Sequence, residues 1–459
     1  MKKFLALTLA ICMIFALCAC GQKEEPAPAP TPEPVVATPE PTPEPTPEPE
    51  ITELSVVVPQ YTETSAEWWD EFAANFNEKT EDVQISVETV PYSDIYANVD
   101  AKIEEGNAPD ILLIDDCMKY IDKLQLHSFN EQIPEELTGQ MYQGAFQAGM
   151  YDLELYSLPA FISARFLYCN TAILKAAGVA QVPQTWAEFK DACQKVQYWN
   201  TGYVPFGLDL SDDDGWSSFA LFAWNNYGAL TDNEGNWTLN KDENVVALDF
   251  IKTLKTSNFL NEDPYTATRY ANEDAFLEGK MAMVIADENL LKRIDNPENV
   301  TLYNVPVSKI NEDAKTDDER GFASLGQSDV FVSFEKGDPS DSVMNAAKVK
   351  FFQAFYEEQT YSSFCVHEGL LPVTYGASDW LCSNALDYKD ADGEPGDVNY
   401  YRNFRYCGNI CKYYPNRPEW ESLKYEIVNA MQAVCNIEVG AKEALDTVQA
   451  LTAGAGEEG

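Results

Sequence analysis

The chain has 459 residues, 45% of them hydrophobic and 12% aromatic, which is too long for one ordinary core and suits two packed lobes with additional segments. Its 75 Asp and Glu against 31 Lys and Arg leave a formal charge of -44. That balance excludes nucleic acid as a partner, because such binding needs a basic surface; it favours solubility and says little about fold.

Met1-Lys2-Lys3 is a short basic start, and Phe4 to Ala19 is an apolar run of about 16 residues, the size of a signal-peptide core and short for a spanning helix. The run ends Leu17-Cys18-Ala19-Cys20-Gly21, which looks like a bacterial lipobox, with Cys18 in place of the commoner small residue. On this reading residues 1–19 form a signal peptide and Cys20 carries the lipid, so the protein sits on the extracellular face of the cell membrane. The alternative is a plain secretion signal cut elsewhere. Two or more acyl chains hold a membrane stably where one does so marginally.

Residues 22–50 hold 11 prolines among 29 residues, in repeats such as Thr-Pro-Glu-Pro. Proline fixes φ and removes a donor, so the segment 20–50 is expected to be an extended linker, reaching on the order of 90 Å at roughly 3.1 Å per residue. Folded structure is expected from Ile51. Glu53 to Val58 reads as a first strand, Ser65 to Lys79 as a helix, Val83 to Val87 as a second strand and Ile95 to Glu105 as a helix. Ile111 to Ile114 is wholly apolar, as a central parallel strand would be. Alternating strands and helices predict a parallel α/β sheet. Ligands of such sheets sit beyond the carboxyl ends of the strands, which places Tyr61 and the pair Asp115-Asp116 on the rim of a site. Trp68 and Trp69 lie at helical spacing and read as core.

Of 11 cysteines, Cys12 and Cys18 fall in the signal and Cys20 in the lipobox. The remaining eight permit disulfides outside the cytoplasm but form no small-domain framework, so most read as buried small hydrophobes. Cys407-x-x-x-Cys411 has no accompanying Cys or His pair, and the chain has just two histidines; no metal site or cofactor is expected. The run Asp209 to Gly215 departs from the EF-hand spacing, with Leu210 in the first ligand place, and reads as a solvated turn.

Gly106-Asn107-Ala108-Pro109-Asp110 resembles the GxAPD segment of family 1 bacterial extracellular solute-binding proteins, the sugar-binding components of ABC importers, which include the maltodextrin-binding proteins. Further segments resemble the family in order. Leu155 to Pro159 is similar to its YGLP segment, where the chain first passes between lobes, and Leu167 to Asn170 to its LYYN strand. Val182 to Phe189 is similar to PPxTWdEf, a helix start with Thr185 as N-cap and Glu188 three residues on, a capping box. Phe276 to Met283, Gly369 to Val373 and the helix start at Tyr414 to Pro418 continue the series. The resemblance implies a periplasmic-binding-protein-like type II fold: two α/β lobes, 51–159 with 321–370 and 160–320 with 371–459, joined by a hinge and enclosing a ligand cleft. It implies a monomer that does no covalent chemistry, captures a sugar or oligosaccharide and passes it to ABC permease subunits.

A sugar presents C–H faces and hydroxyls, so its site needs aromatic platforms with carboxylates, amides or guanidinium groups. Besides Tyr61, Asp115 and Asp116, the candidates are Trp216 in a polar turn, Trp224 eight residues on, the segment Gly326-Gln327-Ser328, Tyr375 and Arg405. Several have structural readings as well: Asp115-Asp116 as a helix cap, Trp224 as core, Gly326 to Ser328 as a tight backbone crossing, and Arg405 as half of a surface ion pair. A secreted carbohydrate-active enzyme, a receptor subunit that senses without transporting, and a glycerol phosphate ligand are the alternatives.

Overall fold

The computed structural model describes residues 51–452 apart from Asp122, Leu124, Glu131, Gln132, Thr201, Asp213, Asn233, 337–340 and Pro418. The signal, lipid and linker readings, Cys20 included, lie outside the described residues.

The first sheet starts with β1 (Thr52–Gln60), which pairs in parallel with β2 (Val83–Pro91) and β3 (Ile111–Ile114). Its pleat sends alternate side chains to opposite faces. Leu54, Val56, Val58, Ile111 and Leu113 join Trp69, Phe72 and Phe76 of the helix Ser65–Lys79 in one core. Val57, Leu112 and Ile114 join Ile95, Val99 and Tyr120 in another. Burial on both faces explains why β3 is uniformly apolar. Trp69 is fully buried and stacks on Phe355 with ring centroids 5.6 Å apart, as its helical spacing predicts.

The chain next forms a small hairpin, β4 (Met150–Tyr151) with β5 (Glu154–Leu155), turned by Asp152 and Leu153 at positive φ. Then β6 (Ser157–Pro159) takes the far edge of the first sheet. The second sheet contains β7 (Ser163–Asn170), β8 (Val204–Gly207) and β9 (Met281–Asp287), with β10 (Val300–Tyr303) paired to β7. β11 (Ser324–Gln327) also pairs with β7, and β13 (Cys411–Lys412) pairs with β11. β12 (Val330–Ser333) returns to the first sheet between β3 and β6.

The second sheet has its own core, with Phe189, Phe206, Phe219, Phe222, Ile251 and Met431 among its members. Its helix Trp186–Trp199 opens on the capping box read in the sequence: the Glu188 N–H donates to Thr185 Oγ1 at 3.3 Å and the Thr185 N–H to Glu188 Oε2 at 3.1 Å. All eight described cysteines are buried and unpaired. No helix among the described residues is long and apolar enough to cross a membrane.

The chain thus passes between the two sheets at 160–162, at 328–329 and again between β12 and β13. The first two passages lie side by side. The Ser328 hydroxyl donates to the Phe161 carbonyl at 2.6 Å, and the Ala160 N–H to the Asp329 carbonyl at 2.8 Å.

Candidate functional site

Parallel pairing brings the carboxyl ends of β1, β2 and β3 to one edge, so Tyr61, Tyr92 and Asp115 follow three adjacent strands. The Tyr61 hydroxyl donates to Asp329 Oδ2 at 2.5 Å, and its ring meets Phe161 edge-on at 5.5 Å and Tyr92 at 5.9 Å. Tyr61 and Asp329 therefore tie the strand end to the second passage. Asp115 is exposed and accepts from the Tyr96 hydroxyl at 2.8 Å. Asp116 is the helix cap among the pair: its Oδ1 accepts from the Met118 N–H at 2.8 Å.

Burial dominates the electrostatics of this wall. Desolvation, with a smaller push from Asp115, raises the Asp329 carboxyl to about 7 against the opposing Tyr61 hydrogen bond. Burial and then the neighbouring Asp329 raise Tyr61 well above the ordinary tyrosine value; partial desolvation of its hydroxyl, then Asp329 and Asp115, raise Tyr92 although 43% of the residue is exposed. These phenols therefore offer hydroxyls and ring faces, not charge.

In the second lobe the Tyr414 phenol is raised by burial and then by the nearby carboxylates Asp116 and Asp115. Its ring lies 5.8 Å from Trp216 and stacks on Trp420, also at 5.8 Å. Trp216 stands in the helix Gly215–Trp224, not in a turn, and is 8% exposed, so it backs Tyr414 and presents little face of its own. Beside it lies a charge network: Arg165 Nη1 meets Asp214 Oδ2 at 2.8 Å and Ser217 Oγ at 2.6 Å, and Arg269 meets Asp287 at 2.9 Å and also Glu273. Asp209 is buried and accepts from the Ser211 and Arg269 N–H groups at 2.7 and 2.9 Å. Asp209 and Asp214 of the acidic run are thus engaged, one in local bonds and the other in the Arg165 pair.

The remaining predicted residues divide. Gly326 is a close crossing: a Cβ there would lie 2.6 Å from the Tyr413 ring and 2.8 Å from Cys411 Cβ. Gln327 is exposed at the end of β11, and the Ser328 hydroxyl is spent on the Phe161 carbonyl. Trp224 is 4% exposed and lines a 770 Å³ cavity with Tyr414, Lys412 and Arg417, to which Gln147, Met150 and Tyr151 also contribute. Tyr375 and Arg405 form a group of their own. Tyr375 donates to Asn409 at 2.9 Å and packs on Tyr142, while Arg405 pairs with Asp379 at 2.7 Å and lies over Tyr406. Neither contacts the Tyr61–Asp115 group in these interactions.

Sequence reasoning passed over Tyr92, Tyr96, Asp329, Tyr414, Arg165 and Arg269. The strand-end rule that selects Tyr61 selects Tyr92 equally, and Asp329 immediately follows the chosen Gly326 to Ser328. Arg165 carries no such signal, because inside a strand an arginine reads as an outward-facing residue.

Comparison with known proteins follows from this geometry. The family model of bacterial extracellular solute-binding proteins matches residues 71–383. A binding protein of Brucella abortus is 22% identical over 400 residues, covering 83% of this chain and 88% of that one. The arabinooligosaccharide-binding protein of Halalkalibacterium halodurans is 25% identical over 194 residues, covering 40% and 42%. Among solved structures, the cyclic alpha-maltosyl-1,6-maltose binding protein of Arthrobacter globiformis superimposes with a TM-score of 0.69 at 20% identity, covering 88% of this chain and 98% of that one. Two sheet-bearing lobes with passages between them, and a family match across most of the chain, place this protein among the bacterial extracellular solute-binding proteins.

Proposed function

We propose that the protein captures a sugar or oligosaccharide in the cleft between its lobes and delivers it to an ABC importer, while the lipid on Cys20 holds it at the outer membrane surface of the cell. One observation supports this reading: Tyr61, Tyr92 and Asp115 follow the ends of three adjacent parallel strands, and Tyr414 of the second lobe is near enough for Asp115 and Asp116 to raise its phenol. Ring faces and hydroxyl-bonding groups in that arrangement suit a carbohydrate. Two relatives with carbohydrate ligands in their names support it. The lobes divide at the passages 160–162 and 328–329, so that β11, expected with 321–370 in the first lobe, goes with the second, and the protein acts as a monomer.

Capture is a difference of affinity between open and closed arrangements, so the ligand needs contacts that both walls complete only on closing. A thermal-shift screen over mono- and oligosaccharides tests the reading, because a ligand of the native form raises the melting temperature. The expected result is a shift with a saccharide, which is then recovered unaltered; recovery of cleaved sugar marks an enzyme, and a shift with amino acids or peptides alone overturns the sugar reading. Replacement of Cys20 with Ala is expected to release the protein from the membrane fraction.

A further inference from the structure

In the second lobe Arg165 is matched by Asp214, Arg269 by Glu273 and Asp287, and Arg293 by Glu273 and Asp274, while Lys412 and Arg417 line the cavity that Tyr414 also lines. Lys119, 5.1 Å from the Tyr96 ring, is paired with Asp100. The first wall carries carboxyl groups whose side-chain partners are phenols: Asp115 receives Tyr96, and Asp329 receives Tyr61. Around them stand the rings of Tyr61, Tyr92 and Tyr414, with Tyr92 43% exposed.

We infer that the cleft selects a saccharide bearing a protonated amino group in preference to its neutral or acidic counterparts, with Asp115 as the specificity-determining anion. The inference rests on the cleft being the ligand site. A neutral ligand lying over Asp115 strips water from a carboxylate and returns ordinary hydroxyl bonds, whereas an ammonium returns a charge-assisted bond of roughly twice the strength. The surrounding ring faces attract the same cation through their quadrupoles. An acidic sugar lying on Asp115 meets like charge, which disfavours it.

Calorimetric titration of the full chain with four trisaccharides tests this: a glucosamine trimer, its N-acetylated form, a neutral glucose trimer and a galacturonate trimer, at pH 6 and fixed salt. The glucosamine trimer is expected to bind about tenfold tighter than the acetylated one, and Asp115→Asn, an exposed change that leaves the melting temperature in place, is expected to erase most of that ratio. Equal or tighter binding of the acetylated, neutral or acidic trimer overturns the ligand class and leaves sugar capture standing. Binding of none of the four overturns both.

Discussion

Asp329 is the residue on which the site's acid–base behaviour turns. Its carboxyl is raised from 3.8 to about 7, chiefly by burial, so the folded state holds its proton more tightly than the unfolded chain. Stability from this group is fully present below about pH 3.8 and is lost progressively up to about pH 7, by about 4 kcal/mol for a shift of that size. Wild type is therefore expected to lose more melting temperature than Asp329→Asn between pH 4 and 7.5; parallel curves for the two refute the assignment. Tyr61→Phe removes the hydroxyl that Asp329 accepts from and is expected to destabilise by about 1–3 kcal/mol in chemical denaturation. Tyr92 is exposed and its hydroxyl is not needed by the core, so Tyr92→Ala is expected to leave the denaturation midpoint unchanged and weaken sugar binding by about tenfold in calorimetry. Its place was readable, since the strand-end rule that identifies Tyr61 applies at Pro91 as well. Tyr375 and Arg405 lie in a group of their own: Tyr375 packs on Tyr142, and Arg405 forms the surface ion pair with Asp379 that its sequence reading allowed.

At the scale of elements, periodicity carried far. The expected strands at 53–58, 83–87 and 111–114 lie within β1, β2 and β3, and the helix Ser65–Lys79 has its expected ends. Alternation and helical spacing are local properties, so a single sequence displays them. The helix holding Trp216 was not legible: the polar run before it reads as a turn, and the helix Gly215–Trp224 is buried on every side, leaving no apolar stripe to detect. The capping box at Thr185 is two-sided, and Thr185→Ala is expected to cost about 1 kcal/mol of stability by thermal melting. Gly326 is sharper. A methyl there meets the Tyr413 ring and Cys411 Cβ inside contact distance, so Gly326→Ala is expected to cost about 1–3 kcal/mol, with Gly279→Ala as a contrasting site where the space is open but φ is +70°.

At the scale of the molecule, the order of strands, β2-β1-β3-β12-β6 and β13-β11-β7-β9-β8, follows from pairings between residues far apart in the chain. Adjacency of that kind has no periodic signature, and chain length and the family resemblance, not local pattern, carried the two-lobe expectation. The passages bear on how such a body moves. Phe161 with Ser328, and Ala160 with Asp329, bond the first two strips edge to edge. Two ribbons fastened along their margins behave like a leaf spring: they flex readily about the axis across their width and resist torsion. Such a fastening predicts rocking of the lobes along one arc with little twist.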